Sequence, residues 1–352
     1  MTRHTSLLLS ALVATLLVVS AADAGFSKVG TTGANFLKIG VGRATAMGDA
    51  FVALADDPSA SYFNPAGLAL VGRSIQFNHV EWIADLRHDY LTAALPVPGF
   101  GTVGLSVTAL TMGDMEQTTV DNPGTPVRED DGTGQIFGAS DFAFAVSYAR
   151  VITDKLSFGL TVKAVNQNIW DMSASAVGAD LGLYYNTGFK SLRIGAAVQN
   201  YGTQLAFSGR QLDFTFPWPD SGPSQLPGSY RTNPAPLPTL FRFGIAYDLI
   251  EATEADPSRL TGTVELVHPS DINETVNFGF EYGVRDLFFL RGGYVLNTDL
   301  DYAADVGYLT GLTAGVGVKA APAEGLTLGL DYTFRYFSYL NPTHRVLLTV
   351  GF

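Results

Sequence analysis

From Leu326 to Tyr336 the side chains alternate without a break. Leu326, Leu328, Leu330, Tyr332, Phe334 and Tyr336 fall on one face, and Thr327, Gly329, Asp331, Thr333 and Arg335 fall on the other. The last residues repeat the pattern: Val346, Leu348, Val350 and Phe352 oppose Arg345, Thr349 and Gly351. A period of two marks a strand, because successive side chains leave opposite faces of an extended backbone. The apolar face keeps large aliphatic and aromatic groups while the other face keeps charge. A soluble sandwich would hide its apolar face in a core and admit little charge there. In an outer-membrane barrel the apolar face meets lipid and the polar face lines a wet or plugged lumen. The expected fold class is therefore all-β transmembrane, an antiparallel outer-membrane barrel of about 14 strands with a small helical N-terminal hatch.

Similar alternation places strands near 74–82, 87–97, 101–112, 141–152, 156–170, 176–187, 192–202, 238–250, 260–268, 274–285, 287–297, 312–320, 326–340 and 344–352. The even-numbered connections are tight, for example Pro98–Phe100, Thr153–Lys155 and Arg285–Asp286, and only the eighth, Glu251–Ser258, is somewhat longer. The long ones, 113–140, 203–235 and 298–311, are all odd-numbered. Short turns at one end and long loops at the other are the asymmetry of outer-membrane barrels.

The chain is expected to divide into a signal peptide over 1–24, a hatch segment over 25–73 and the barrel over 74–352. Arg3 and His4 give a basic start, Leu7 to Val19 is too short an apolar run to span a bilayer as a helix, and Ala22-Asp23-Ala24 offers a cleavage site. Cleavage near Ala24 would place the mature protein in the outer membrane of a Gram-negative-type bacterium. The hatch segment is rich in Gly and Ala, and a helical spacing puts Ala44, Met47, Phe51 and Leu54 on one face. Asp57 before Pro58 suits a helix start. Such a segment cannot cross lipid, but it can fill a barrel too wide for its own side chains to occupy. Glycines on the wall would let it approach the backbone closely.

Net charge is −12, with or without the signal. Nucleic acid is therefore not an expected partner, since phosphate binding needs clustered Lys and Arg. There is no cysteine, hence no disulfide or thiol chemistry.

The string Gly33-Ala34-Asn35-Phe36-Leu37-Lys38-Ile39-Gly40, then Arg43-Ala44, Ala46-Met47-Gly48, Ala50 to Asp57, Tyr62 and Asn64-Pro65-Ala66-Gly67-Leu68 resembles the opening of the PorV/PorQ family. That family lies within the FadL-like group of fourteen-stranded outer-membrane barrels with an N-terminal hatch. The resemblance implies two different jobs. FadL-like relatives carry hydrophobic molecules through a plugged barrel and release them sideways into the membrane. PorV and PorQ act with type IX secretion, receiving exported proteins. The first reading of the sequence is a non-enzymatic barrel of PorV/PorQ type handling transport or secretion. A FadL-like transporter of hydrophobic small molecules is the alternative, and a passive porin the second.

Enzyme chemistry finds little support. His79, His88, His268 and His344 sit at or near strand ends, read as interfacial or loop histidines, with no Gly-x-Ser-x-Gly elbow and no helical metal pair. No cofactor or metal is expected. Asp114, Glu116, Asp121, Glu129, Asp130 and Asp131 offer oxygen ligands for calcium, but their spacing is not that of an EF-hand loop. By parity Lys163, Asp180, Arg242, Asp248, Glu265, Glu281, Arg291, Lys319, Asp331, Arg335 and Arg345 face the lumen, as anchors for the hatch or contacts for a ligand. Phe207, Phe214, Phe216 and Trp218 form an aromatic loop suited to a hydrophobic ligand or a secreted protein and its translocon. Trp82, Tyr90, Trp170 and Tyr185 read as an interfacial girdle. Asn64-Pro65-Ala66-Gly67 is the expected moving turn of the hatch. Val346, Leu348, Val350 and Phe352 would be read by the barrel-assembly machinery, and outer-membrane lipid surrounds the wall.

Overall fold

The computed structural model describes residues 28–118, 132–217, 225–253, 256–299 and 309–352. The expected signal peptide, Trp218, and Asp121, Glu129, Asp130 and Asp131 lie outside the described residues. Fourteen wall strands are found among the described residues: β1 (Ser74–Glu81), β2 (Arg87–Val97), β3 (Gly101–Thr111), β4 (Ala139–Val151), β5 (Leu156–Ile169), β6 (Met172–Asn186), β7 (Arg193–Gly202), β8 (Leu240–Ile250), β9 (Ser258–Pro269), β10 (Thr275–Val284), β11 (Phe288–Asn297), β12 (Leu312–Ala323), β13 (Leu326–Arg335) and β14 (Thr343–Gly351). Each pairs antiparallel with its sequence neighbours, and β1 pairs with β14 from Ser74↔Gly351 to Glu81↔His344. The sheet is thereby closed and has no free edge.

Burial follows the sequence alternation. Leu91, Phe144, Phe243, Val316, Leu330 and Val346 are exposed on the outer face, while residues of opposite parity on the same strands, Thr92, Ser147, Arg242, Thr313, Asp331 and Arg345, are buried inside. A wall of large apolar groups around a polar interior is stable only where hydrocarbon replaces water outside. The connections sort as expected. At one end they run 98–100, 152–155, 187–192, 251–257, 285–287 and 324–325, and at the other they include 112–138, 203–239 and 298–311.

Residues 28–73 occupy the lumen. Val29 N donates to Ser270 O at the long-loop end, and Phe352 N donates to Arg73 O at the short-turn end, so the segment traverses the barrel. It is not the amphipathic helix expected over 44–54. It consists of tight 3-10 turns at Asn35–Lys38, Gly42–Met47 and Pro65–Leu70, with a single α-helical turn at Ala60–Phe63. Gly48 (φ 65) and Asp49 (φ 59) are left-handed, which stops the second turn after Met47. The α-turn is capped at Ser59 rather than at the expected Asp57, whose Oδ1 accepts from Ser59 N at 2.8 Å just ahead of it. With no single helical face, Ala44, Met47, Phe51 and Leu54 are all buried together in the core.

Wall glycines make this filling possible. A Cβ on Gly159 would stand 2.2 Å from Pro65 C, one on Gly195 2.1 Å from Val52 O, and one on Gly293 2.2 Å from Met47 C. The backbone of the segment lies directly on the backbone of the wall at these points.

Candidate functional site

The Asn64-Pro65-Ala66-Gly67 turn is fixed residue by residue. Asn64 Oδ1 accepts from Ala66 N at 3.1 Å, while its Nδ2 donates to Val52 O at 2.8 Å and to Leu183 O on β6 at 2.9 Å. One side chain therefore ties the turn to the segment and to the wall. Pro65 opens the 3-10 turn, where its fixed φ and missing N–H cost nothing. A Cβ on Gly67 would meet Ala55 O at 1.9 Å, so only glycine fits.

The charges placed on the lumen face by parity are there, and most are paired. Lys163 meets Asp180 at 2.7 Å, Arg242 meets Glu265 at 2.7 Å and Arg193 meets Asp248 at 2.5 Å. Glu265 also accepts from Phe51 N and Val52 N at 2.7 and 2.8 Å. Glu281 accepts from Arg291 at 2.7 Å, and Arg291 reaches on to Asp331. Arg335 meets Asp49 at 2.8 Å. Lys319 sits with Arg43, Asp57, Arg259, Arg291 and Asp331 around a polar cavity of about 340 Å³ in the short-turn half.

Sequence reasoning missed the partners that the lumen segment contributes. Arg43 binds Asp57 at 2.7 Å, Glu281 at 2.9 Å, and Asp56. Alternation identifies an inward charge on a strand, but a segment without periodicity gives no comparable signal. The histidines were read as interfacial, yet His88 is fully buried in the lumen. Tyr90, expected in the girdle, is also inside, with its hydroxyl 2.6 Å from that of Ser61. Both lie on the even-numbered, inward face of β2, and that parity was the overlooked signal.

At the long-loop end two lysines hold the start of the segment. Lys28 Nζ donates to Glu274 at 2.7 Å, and Lys38 Nζ donates to Asp271 at 2.6 Å. The hydrogen bond from Lys28 holds the Glu274 carboxyl below its ordinary 4.5. Burial alone would raise Asp271, but hydrogen bonds from Lys38 and Thr32 outweigh it and hold the carboxyl below 3.8. Groups depressed on folding contribute stability above their unfolded values and lose it as pH falls through the folded ones. Hydrogen exchange at Val29 is expected to stay flat between about pH 5 and 8 and to gain an opening contribution below about pH 4, after correction for intrinsic rates. A flat corrected profile down to about pH 2 would show that the tether does not depend on these ion pairs.

One part of the long-loop half of the lumen is apolar. Ala34, Phe36, Leu37 and Ile39 pack against Ala143, Val165, Ala174, Ala176, Leu205 and Leu237, with Phe207 laid against the cluster. Phe207 also lines a cavity of about 560 Å³ within the loop, together with Leu212 and Tyr230. Phe214 packs on Tyr230 at 4.5 Å and on Phe216 at 6.0 Å. The structure thus gathers three of the four aromatic residues singled out in the loop, all half-buried. Val346, Leu348, Val350 and Phe352 are exposed on the outer wall.

No protein-family model and no curated protein sequence matches the chain. Among solved structures it is similar to the CymD monoaromatic hydrocarbon channel, with TM-score 0.52 at 14% identity over 89% of this chain and 98% of that one. It is also similar to the Pseudomonas putida toluene transporter TodX, with TM-score 0.50 at 11% identity over 83% of this chain and 92% of that one. A Pseudomonas aeruginosa FadL homologue superposes at TM-score 0.49 and 10% identity over 89% of this chain and 98% of that one. At such identities the likeness establishes the fold, a closed fourteen-strand barrel of the outer-membrane type.

Proposed function

We propose that this chain is an outer-membrane channel for small hydrophobic molecules, with residues 28–73 as the hatch that closes it. The observation that carries this reading is the continuity from the aromatic loop cavity, through Phe207, to the apolar cluster around Ala34–Ile39. A hydrophobic ligand leaving the loop could pass from Phe207 onto this apolar cluster if the start of the hatch moved aside. The short-turn half is lined by ion pairs, which offer such a ligand nothing in place of its own hydrophobic burial. Release into the bilayer through the wall therefore suits it better than exit through that mouth. Two solved channels that match at TM-score 0.50 or above are named for monoaromatic hydrocarbon or toluene transport, which supports the same reading.

This order reverses the one taken from the sequence. The PorV/PorQ reading rests on the string between Gly33 and Leu68 alone, and secretion gains no further support. A passive porin needs an open lumen, whereas residues 28–73 run through this one.

The test is uptake of radiolabelled toluene by proteoliposomes containing the full mature chain. Uptake well above that of protein-free vesicles is expected, with a sharp fall in the Phe207→Asp variant, which places a charge between loop and cluster. Uptake at the protein-free level, with exported proteins co-purifying instead, would overturn the proposal in favour of secretion.

A further inference from the structure

Most lumen charges are neutralised, but one positive group at the long-loop end is not. Arg345 on β14 is 1% exposed, and no carboxylate pairs with it among the described residues. Its Nε donates to Gly40 O at 3.3 Å and its Nη1 to Thr343 Oγ1 at 2.8 Å, while Nη2 has no hydrogen-bond partner. The carboxylate within electrostatic reach is Asp49, and that is already held by Arg335 at 2.8 Å. Two guanidinium groups thus share one carboxylate, leaving one buried positive charge. Retaining an uncompensated ion in a dry interior costs several kcal/mol unless something negative joins it.

The surroundings are donors. Val80 on β1 pairs with Arg345 on one side and with His88 on the other, so Arg345 and His88 flank it on the lumen face. His88 is fully buried beside the Phe36 backbone, and neither ring nitrogen makes a hydrogen bond of ordinary geometry. Asn78, two residues along the same face and also fully buried, uses Oδ1 to accept from Gly42 N at 3.0 Å, and its Nδ2 is left over. Arg335 Nε is unpartnered as well. The long-loop side is covered by rings. Trp82 lies 5.5 Å from the Arg345 guanidinium, Phe337 lies 5.4 Å from that of Arg335, and the two rings meet edge to face at 5.9 Å. Aromatic faces attract cations, so this cover stabilises the charge without supplying an acceptor.

We propose that Arg345, His88, Asn78 and Arg335 form a buried site for one small monoanion, a halide or a carboxylate, beneath Trp82 and Phe337. Each group offers an N–H, the net charge is positive, and the rings exclude water. The anion would also fasten Gly40 and Gly42 of the lumen segment, which bond to Arg345 and Asn78, to β14 and β1. A resident inorganic anion and the head group of a carboxylate amphiphile share this chemistry.

The test does not involve transport, so its outcome is separate from that of the channel reading. The full mature chain carrying Trp170→Phe and Trp218→Phe retains Trp82 alone, since the chain has three tryptophans. Its fluorescence is titrated with sodium bromide at constant ionic strength against a bulky sulfonate. A saturable quenching component is expected in this background and is lost on adding Arg345→Met. Adding His88→Phe instead keeps the charge and shifts saturation to higher bromide, which covers the case in which the first variant does not fold. Competition by chloride and formate identifies a free small anion. Competition by decanoate at concentrations where formate has no effect identifies an amphiphile head group. Quenching strictly linear in bromide, or a saturable component unchanged in both variants, would overturn the proposal.

Discussion

Replacing Arg43 by methionine is expected to destabilise the folded barrel by about 3 kcal/mol, the low end of the cost of breaking a buried ion pair from one side. Arg43 joins the lumen segment to itself through Asp56 and Asp57 and to the wall through Glu281. Methionine keeps the packing on Phe51, over whose ring the guanidinium lies at 5.1 Å, so the change removes charge and donors more than volume. Glu281 would still hold Arg291 at 2.7 Å, which keeps the cost from the upper end of the range. Asp57 would lose the guanidinium that it meets at 2.7 Å. Equilibrium unfolding in urea, from lipid vesicles, measures the effect. Arg210→Met is the control: that guanidinium is 82% exposed and meets Asp171 at 3.0 Å, a pair worth less than about 1 kcal/mol. Equal midpoints for Arg43→Met and Arg210→Met would remove Arg43 as the tie between segment and wall.

Gly159→Val should dislodge the Asn64–Gly67 turn. The atoms nearest its added Cβ are Pro65 C, Ala66 N and Pro65 O, at 2.2, 2.3 and 2.5 Å. These are backbone atoms, so no rotamer change relieves the clash. Gly159 pairs directly with Gly182, whose own Cβ would stand 2.1 Å from Asn64 Oδ1, so the two glycines form one cradle. Overpacking of this kind costs about 1–3 kcal/mol when the structure yields, and here the turn is what must yield. Protease digestion should then cut between residues 60 and 70, where the native chain resists. Gly262→Ala is the comparison, because its Cβ would meet nothing nearer than 3.5 Å, ordinary contact. Resistance unchanged in Gly159→Val would mean that the turn is not held against the wall.

The barrel was legible in the sequence because its rule repeats strand after strand. Once the outside is hydrocarbon, every second residue declares its side, so β13 and β14 could be read residue by residue and the parity of loop lengths followed. The lumen segment obeys no such rule. Ala44, Met47, Phe51 and Leu54 look like one helical face, yet the left-handed Gly48 and Asp49 divide the turn and all four side chains end up inside. A segment enclosed on every side needs no polar face, so periodicity carries no information there. The inward charges from Lys163 to Arg345 were found by parity. Their partners Asp49 and Arg43 were not, because only the three-dimensional path of the segment brings them to the wall.

If movement of residues 28–73 opens the barrel, a reversible lock on that segment should close it. A Cβ on Gly33 would lie 3.6 Å from that of Ala235, within the range of about 3.5–4.5 Å that a disulfide spans. The nearest other atom, Leu205 Cδ1 at 2.8 Å, is the end of a side chain that can turn away. With no native cysteine, Gly33→Cys with Ala235→Cys gives a single possible intramolecular bridge. Toluene uptake should fall to the protein-free level when this variant is fully oxidised and return on adding reductant. Undiminished uptake through the fully cross-linked protein would contradict the account.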